Sequence, residues 1–234
     1  MQFVPHRFRF GVVLKLARLA TPLLRGTEAY QTQMKKGFHE PCEITLHLLL
    51  NALTKTDCTF DPTIAIDGYE ALERAYPKRK GVLLIGHHAA LTMLMVRVLY
   101  DQNIDQVVVT PDRQLRVPGT GVLAKTIQGS PTFLVQIRNR LRDGKVVCAM
   151  PDRAEHQGAR TVEFNTAHGS VIFAPAMLQV AARAGAEILF TEVRLKDNRL
   201  RAVIVEPRTP MGACVEEITE DFISFVRERV GPGV

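Results

Sequence analysis

Residues 80–100 read KGVLLIGHHAALTMLMVRVLY, and their pattern decides the fold. Val82 to Ile85 form a continuous apolar run, as a strand requires when both of its faces are covered. Gly86 closes the run and permits a tight turn. His87 and His88 follow at once, and Ala89 to Tyr100 reads as an apolar helix. The pattern therefore predicts two imidazoles where a buried strand gives way to a helix. In open α/β sheets, ligands bind outside the carboxyl ends of the strands. A helix start adds free backbone N–H groups that favour negative charge. A neutral imidazole near pH 7 can take a proton from a hydroxyl or an amine. A single histidine here would serve equally well as a structural group paired with nearby backbone. Two in succession favour chemistry.

Working outward, Gln106 to Thr110 (QVVVT) predicts a second buried strand, leading into PDRQLRVPGTG. Lys145 to Met150 (KVVCAM) predicts a third, leading into PDRAEHQGAR. Asp112, Arg113 and Arg116 then share one loop beyond a strand end, beside the histidines if the strands are neighbours, while Asp152 and Arg153 begin another. Arginine forks can hold phosphate or carboxylate; an exposed loop of solvated charge is the alternative. Between these strands, Pro131 to Arg142 predicts a helix with Phe133, Leu134, Ile137 and Leu141 inward. Downstream, a helix is predicted from about Ala174 to Ala184, with Pro175 in its first turn. Glu187 to Arg194 and Leu200 to Glu206 predict antiparallel strands about an Asp197-Asn198 turn, and Glu216 to Val230 a closing helix.

Upstream, residues 27–56 predict one or two helices, within which His47 reads as a hydrogen-bonded core histidine. Ile64 and Ile66 mark a short strand, and Tyr69 to Tyr76 a helix stopped by Pro77. In residues 3–25, Phe8, Val12, Leu16 and Leu19 share one face, with Lys15, Arg18 and Arg25 alongside. Such a helix can lie in a membrane interface or pack on the domain as an ordinary surface helix. The expected architecture is α/β: a central, mostly parallel sheet flanked by helices, with an N-terminal helical lead-in over residues 1–60 and the core over 61–234, in one domain.

The chain has 234 residues, and a 46% hydrophobic content suits a packed core. A formal net charge of +6 fits an anionic partner such as a membrane surface, a phosphorylated substrate, a coenzyme A or an acyl carrier protein. Nucleic acid is not expected, since Trp is absent and no aromatic-basic stacking motif appears. Cys42, Cys58, Cys148 and Cys214 are scattered with no C-x-x-C pair. That argues against a zinc site or a disulfide framework and for reduced thiols in the cytoplasm. No apolar run approaches the roughly 18 residues needed to span a bilayer, and no secretory signal is apparent.

GVLLIGHH followed by an apolar helix resembles the histidine block of the HtrB/LpxL-like lipid A biosynthesis acyltransferases, within the lysophospholipid acyltransferase group. That block has an acidic residue five positions after its histidine. Here Thr92 takes the position if His87 is the counterpart, and Met93 if His88 is, so the acid is missing. Helix, Gly144, strand and Asp152 resemble the family's second block, with Arg153 where glutamine is common. TVEFNTAHGSVIFAPAMLQVAARAGAEILF, residues 161–190, resembles a third block: Phe164 in a short strand, a small-residue loop with Ser170, an Ala-rich helix, then Gly185-Ala186 and a strand. The resemblance covers roughly residues 65–230. It implies a glycerol-3-phosphate acyltransferase-like fold. It also implies acyl transfer from a coenzyme A or carrier-protein thioester to a hydroxyl or amine of a lipid-like acceptor. Neither a cofactor nor a metal is implied. Family members usually begin with a membrane helix; this chain resembles a soluble or peripheral relative.

In that chemistry His87 is the expected general base, with His88 beside it, and Thr92 or Asp152 orients it. Asp112 is a further candidate for the carboxylate. Backbone N–H groups after His88 are expected to stabilise the oxyanion. Arg113, Arg116, Arg153 and Ser170 are the expected substrate contacts. No Ser or Cys stands in a nucleophile motif such as G-x-S-x-G, so direct attack by the acceptor is expected. Two other readings stay open: a lipid or acyl-chain binder without catalysis, and a metal-dependent hydrolase built on His87, His88, Asp152 and His156.

Overall fold

A computed structural model describes residues 7–34, 41–54, 59–76, 80–152, 160–167, 169–210 and 214–230. The chain begins with β1 (Arg7–Arg9), then α1 (Phe10–Leu24), α2 (Glu28–Met34), α3 (Pro41–Thr54), β2 (Thr59–Asp61), β3 (Ile64–Asp67) and α4 (Tyr69–Ala75). Next come β4 (Val82–Gly86), α5 (Leu94–Asp101), β5 (Gln106–Val109), β6 (Thr126–Ile127), α6 (Phe133–Arg142) and β7 (Val146–Ala149). It closes with β8 (Val162–Thr166), β9 (Gly169–Phe173), α7 (Ala176–Ala184), β10 (Glu187–Lys196), β11 (Arg199–Val205) and α8 (Val215–Val230).

Seven strands form one sheet in the order β3-β11-β10-β4-β7-β5-β6. Neighbours are parallel throughout except β10 and β11, which pair antiparallel from Phe190↔Val205 to Lys196↔Arg199. Asp197 and Asn198 join them with φ of 49° and 63°. Those are the left-handed values of a two-residue hairpin turn, which Asp and Asn tolerate. The protein is thus a mixed α/β fold with a mostly parallel sheet flanked by helices.

The apolar run that opens the argument is β4, at the middle of the sheet. Val82 and Leu84 enter one core with α1, α3, α4 and α5. Leu83 and Ile85 enter the other with α6, α7 and α8. All four are at most 1% exposed, each contributing about 1.5–3 kcal/mol relative to exposure. In the second core, Phe173, Phe190, Phe222 and Phe225 cluster with ring centroids 4.9–6.2 Å apart.

Three expectations need correction. The helix after the histidines begins at Leu94, not Ala89. Residues 89–93 are a run of turns, with Ala89 N donating to His87 O, Thr92 N to Ala89 O and Leu94 N to Leu91 O. The small-residue loop holding Ser170 is β9, paired antiparallel with β8 in a separate two-stranded ribbon. The strand before Asp112 does not neighbour β4, because β7 lies between them. His47 is hydrogen-bonded, as expected, but at a half-buried position where its Nε2 meets Asn51 Nδ2 at 2.8 Å.

Strands β10, β4, β7, β5 and β6 share one direction, so their carboxyl ends share one edge. The lead-in reaches the same edge. Glu43 of α3 accepts a hydrogen bond from Leu195 N, beyond the point where β10 has passed the end of β4. Arg97 of α5 donates to Phe60 O and Pro118 O, 3.1 Å each, tying β2 to the loop after β5. Among the described residues, no helix is long and apolar enough to cross a membrane.

Candidate active site

The two histidines part company where β4 ends. Successive residues of an extended chain project to opposite sides, so adjacent rings do not share one cleft. His87 is sealed at 1% exposure. The side chain of His88 is 22% exposed and lines a cleft of about 890 Å³ at the carboxyl edge of the sheet. That volume is of the size that holds small-molecule ligands.

Asp152, just past β7, grips His88 twice. Its Oδ2 accepts the His88 backbone N–H at 2.7 Å. Its Oδ1 makes a short contact with His88 Nδ1. The Asp152 side chain is 1% exposed. Burial pushes its carboxyl up, but the His88 ring and backbone N–H, with a smaller contribution from His87, outweigh this and leave it below its ordinary value. Asp152 is therefore ionised near neutral pH and can only accept hydrogen bonds. Nδ1 must carry the ring proton, which leaves the Nε2 lone pair as the base. A carboxylate five strand-and-helix elements further along the chain thus meets the ring because β4 and β7 are paired neighbours.

The other expected site residues fall variously. Thr92 is 4% exposed, and its Oγ1 has no hydrogen-bond partner among the described residues. It lines a void of only about 20 Å³ and orients neither ring. Asp112 is exposed and accepts from Gln114 N at 2.9 Å within its own turn. Arg113 lines the cleft with His88, its Nε donating to Gln128 Oε1 at 2.6 Å. Arg116 is exposed and donates to Gly121 O; it is not part of the cleft lining. Ser170 is exposed on the ribbon, where its hydroxyl donates to Glu163. Arg153 and His156 lie outside the described residues. Among the described residues, no three His, Cys, Asp or Glu side chains come together as metal ligands do.

Several backbone amides at this turn are already committed: His88 N to Asp152, Ala89 N to His87 O, Thr92 N to Ala89 O and Leu94 N to Leu91 O. The cleft draws its positive potential from elsewhere. α6 and α7 both begin at it, through Pro131, Phe133, Ala174 and Met177. Their N-terminal ends carry partial positive charge, to which Arg113 adds a full one. Gln128 and Met177 are lining residues that sequence reading did not single out, and Phe133 is one that it read only as an inward residue of its helix. Their signal was only positional, as residues flanking helix starts in a parallel sheet.

No family model and no curated protein matches the chain. The fold and the cleft define a class, an α/β protein with a His–carboxylate dyad at the carboxyl edge of its sheet.

Proposed function

We propose that this protein is an acyltransferase in which His88, oriented by Asp152, is the general base. The supporting observation is the buried, ionised Asp152 that fixes His88 with Nε2 as the base beside an open cleft. The reading revises the expected roles, since His87 is sealed and Thr92 orients neither ring. It also supplies the carboxylate that the histidine block lacks, from β7 instead of the following helix.

In the proposed step, Nε2 takes the proton of an acceptor hydroxyl or amine as the oxygen or nitrogen attacks a thioester carbonyl. The tetrahedral intermediate collapses, the C–S bond breaks, and the proton passes from Nε2 to the departing thiolate. Asp152 offsets the charge of the transient imidazolium. Arg113 and the starts of α6 and α7 favour the negative charge carried by a coenzyme A or a carrier protein's phosphopantetheine. The acceptor is lipid-like, in keeping with the apolar half of the cleft lining, Val109, Phe133 and Met177. The fold is then glycerol-3-phosphate acyltransferase-like, and the setting cytoplasmic, where such thioesters are made. Among the described residues, Cys42, Cys148 and Cys214 form no disulfide with one another, which accords with that setting.

The test is incubation with a panel of acyl-CoA and acyl-carrier thioesters and mixed lipid acceptors, with products read by mass spectrometry. Thiol release coupled to a new ester or amide is expected, and His88→Ala should lower the rate about 10²–10⁴-fold. Thioester binding without turnover by any acceptor would overturn the reading in favour of a binding protein.

A further inference from the structure

Helix α1 packs on the molecule with one face and leaves an apolar stripe on the other. Val13, Leu14, Ala17 and Thr21 are buried. Thr21 Oγ1 donates to Thr45 Oγ1 of α3 at 2.9 Å, which fixes the packed side. Val12, Leu16, Leu19 and Leu23 are 47%, 49%, 74% and 81% exposed. At about 100° per residue these four fall within an arc of about 60°, on the side away from α3. They are four of the ten large apolar side chains exposed among the described residues, so exposure is concentrated here. Lys15, Arg18 and Arg25 are exposed along the same helix and its end. The helix sequence, FGVVLKLARLATPLL, contains no acidic residue.

We infer that α1 is a docking surface for an anionic lipid bilayer, lying in the interface with Val12, Leu16, Leu19 and Leu23 inserted, Lys15 at headgroup level and Arg18 and Arg25 adding positive charge behind it. Charge selects the bilayer over a second copy of the chain. Lys15 lies about 70° from the centre of the stripe, so two α1 stripes placed face to face would gather lysines at their shared rim, with no acid in the helix to oppose them. An anionic surface supplies the missing negative charge. Length selects lying over crossing: 15 residues make about 22 Å of helix, short of a hydrocarbon core of roughly 30 Å. The inference does not depend on acyl transfer and can fail or hold independently of it.

The test is co-sedimentation of the full chain with sucrose-loaded vesicles of pure phosphatidylcholine or with one-third phosphatidylglycerol. Binding is expected to the anionic vesicles, weaker to the neutral ones, and reduced by 0.5 M salt, roughly as screening of surface charge demands. Leu19→Ser with Leu23→Ser should reduce the partition coefficient about tenfold or more. Because both side chains are mostly exposed, the melting temperature should not fall. Lys15→Glu with Arg18→Glu should abolish the preference for anionic vesicles. Wild-type protein that stays in the supernatant at every composition overturns the inference. So does a double-serine variant that binds as well as wild type, or one that only converts a dimer to a monomer on gel filtration.

Discussion

At the scale of single residues, Asp152 sets what His88 can do. An ionised carboxylate locks the ring tautomer; an amide in its place can present N–H to Nδ1 and leave Nε2 protonated, the wrong form for a base. Asp152→Asn is therefore expected to lower the turnover rate about 10²–10⁴-fold with little change in KM, measured by thiol release. His87→Ala should behave differently. Its site is sealed, so the loss should appear as a lower melting temperature, about 1–3 kcal/mol, more than as a lost rate. If His87→Ala abolishes turnover in a folded protein while His88→Ala does not, the assignment of the two rings is reversed. Asp152 also predicts a pH dependence. Its folded pKa lies below the ordinary carboxylate value, so its contribution to stability is fully present above the unfolded pKa of about 3.9. It is lost as pH falls through the folded value. Denaturation series from pH 7 to pH 3 should show the stability gap between wild type and Asp152→Asn closing only at the acid end. A gap constant to pH 3 would mean that the carboxylate is not depressed.

At the scale of elements, β4 was legible because burial on both faces leaves a run with no polar interruption, and β5 and β7 were legible for the same reason. The hairpin of β10 and β11 was legible from Asp197-Asn198, two residues that accept left-handed backbone. The segment after the histidines was not. Residues 89–93 and 94–101 are equally apolar, and apolarity reports burial, not which carbonyl an amide reaches. For the same reason the doublet His87-His88 announced a site but not which ring faces it, since that depends on how the chain turns after Gly86. The pairing of β4 with β7, which brings Asp152 to His88, is a long-range choice with no local signature. Gly86 itself carries a testable constraint. A Cβ there would stand 2.9 Å from Thr191 O and 2.9 Å from Thr92 Cγ2. The first is backbone of the paired strand β10, which cannot swing aside as a side chain does. Gly86→Ala is expected to destabilise by about 1–3 kcal/mol and to lower turnover, because the strand end that aims His88 must shift. Unchanged melting and unchanged rate would show that β4 and β10 separate freely at this point.

At the scale of the whole molecule, the last strand pair and the last helix are joined by a buried ion cluster. Glu192 of β10 is 2% exposed. Its Oε2 accepts from Arg194 Nε at 3.0 Å, and its Oε1 lies 2.7 Å from Nε of Arg229 in α8, an ion pair not aligned as a hydrogen bond. Burial pushes the Glu192 carboxyl up, and Arg194 and Arg229 only partly offset it. Burial likewise lowers Arg229, against the pull of Glu192. Both partners therefore report that desolvation exceeds attraction, as is common for buried pairs. A raised carboxyl contributes fully below its unfolded pKa, and the contribution is lost as pH rises through the folded value, the reverse of Asp152. Two substitutions should separate the cost of the charge from the value of the packing. Glu192→Gln removes the buried charge and leaves two arginines that are 40% and 19% exposed and can be solvated; it should cost little at pH 7, under about 1 kcal/mol. Arg229→Met removes the nearer cation and leaves Glu192 with Arg194 alone, which should cost about 3 kcal/mol at pH 7. That penalty should shrink at pH 5, as the carboxyl takes up a proton and no longer needs a partner. Urea denaturation of both variants at the two pH values decides it. An Arg229→Met penalty equal at pH 5 and pH 7 would place the loss in the stacking of the guanidinium over Phe225, 3.9 Å from the ring centre, and not in the stranded charge.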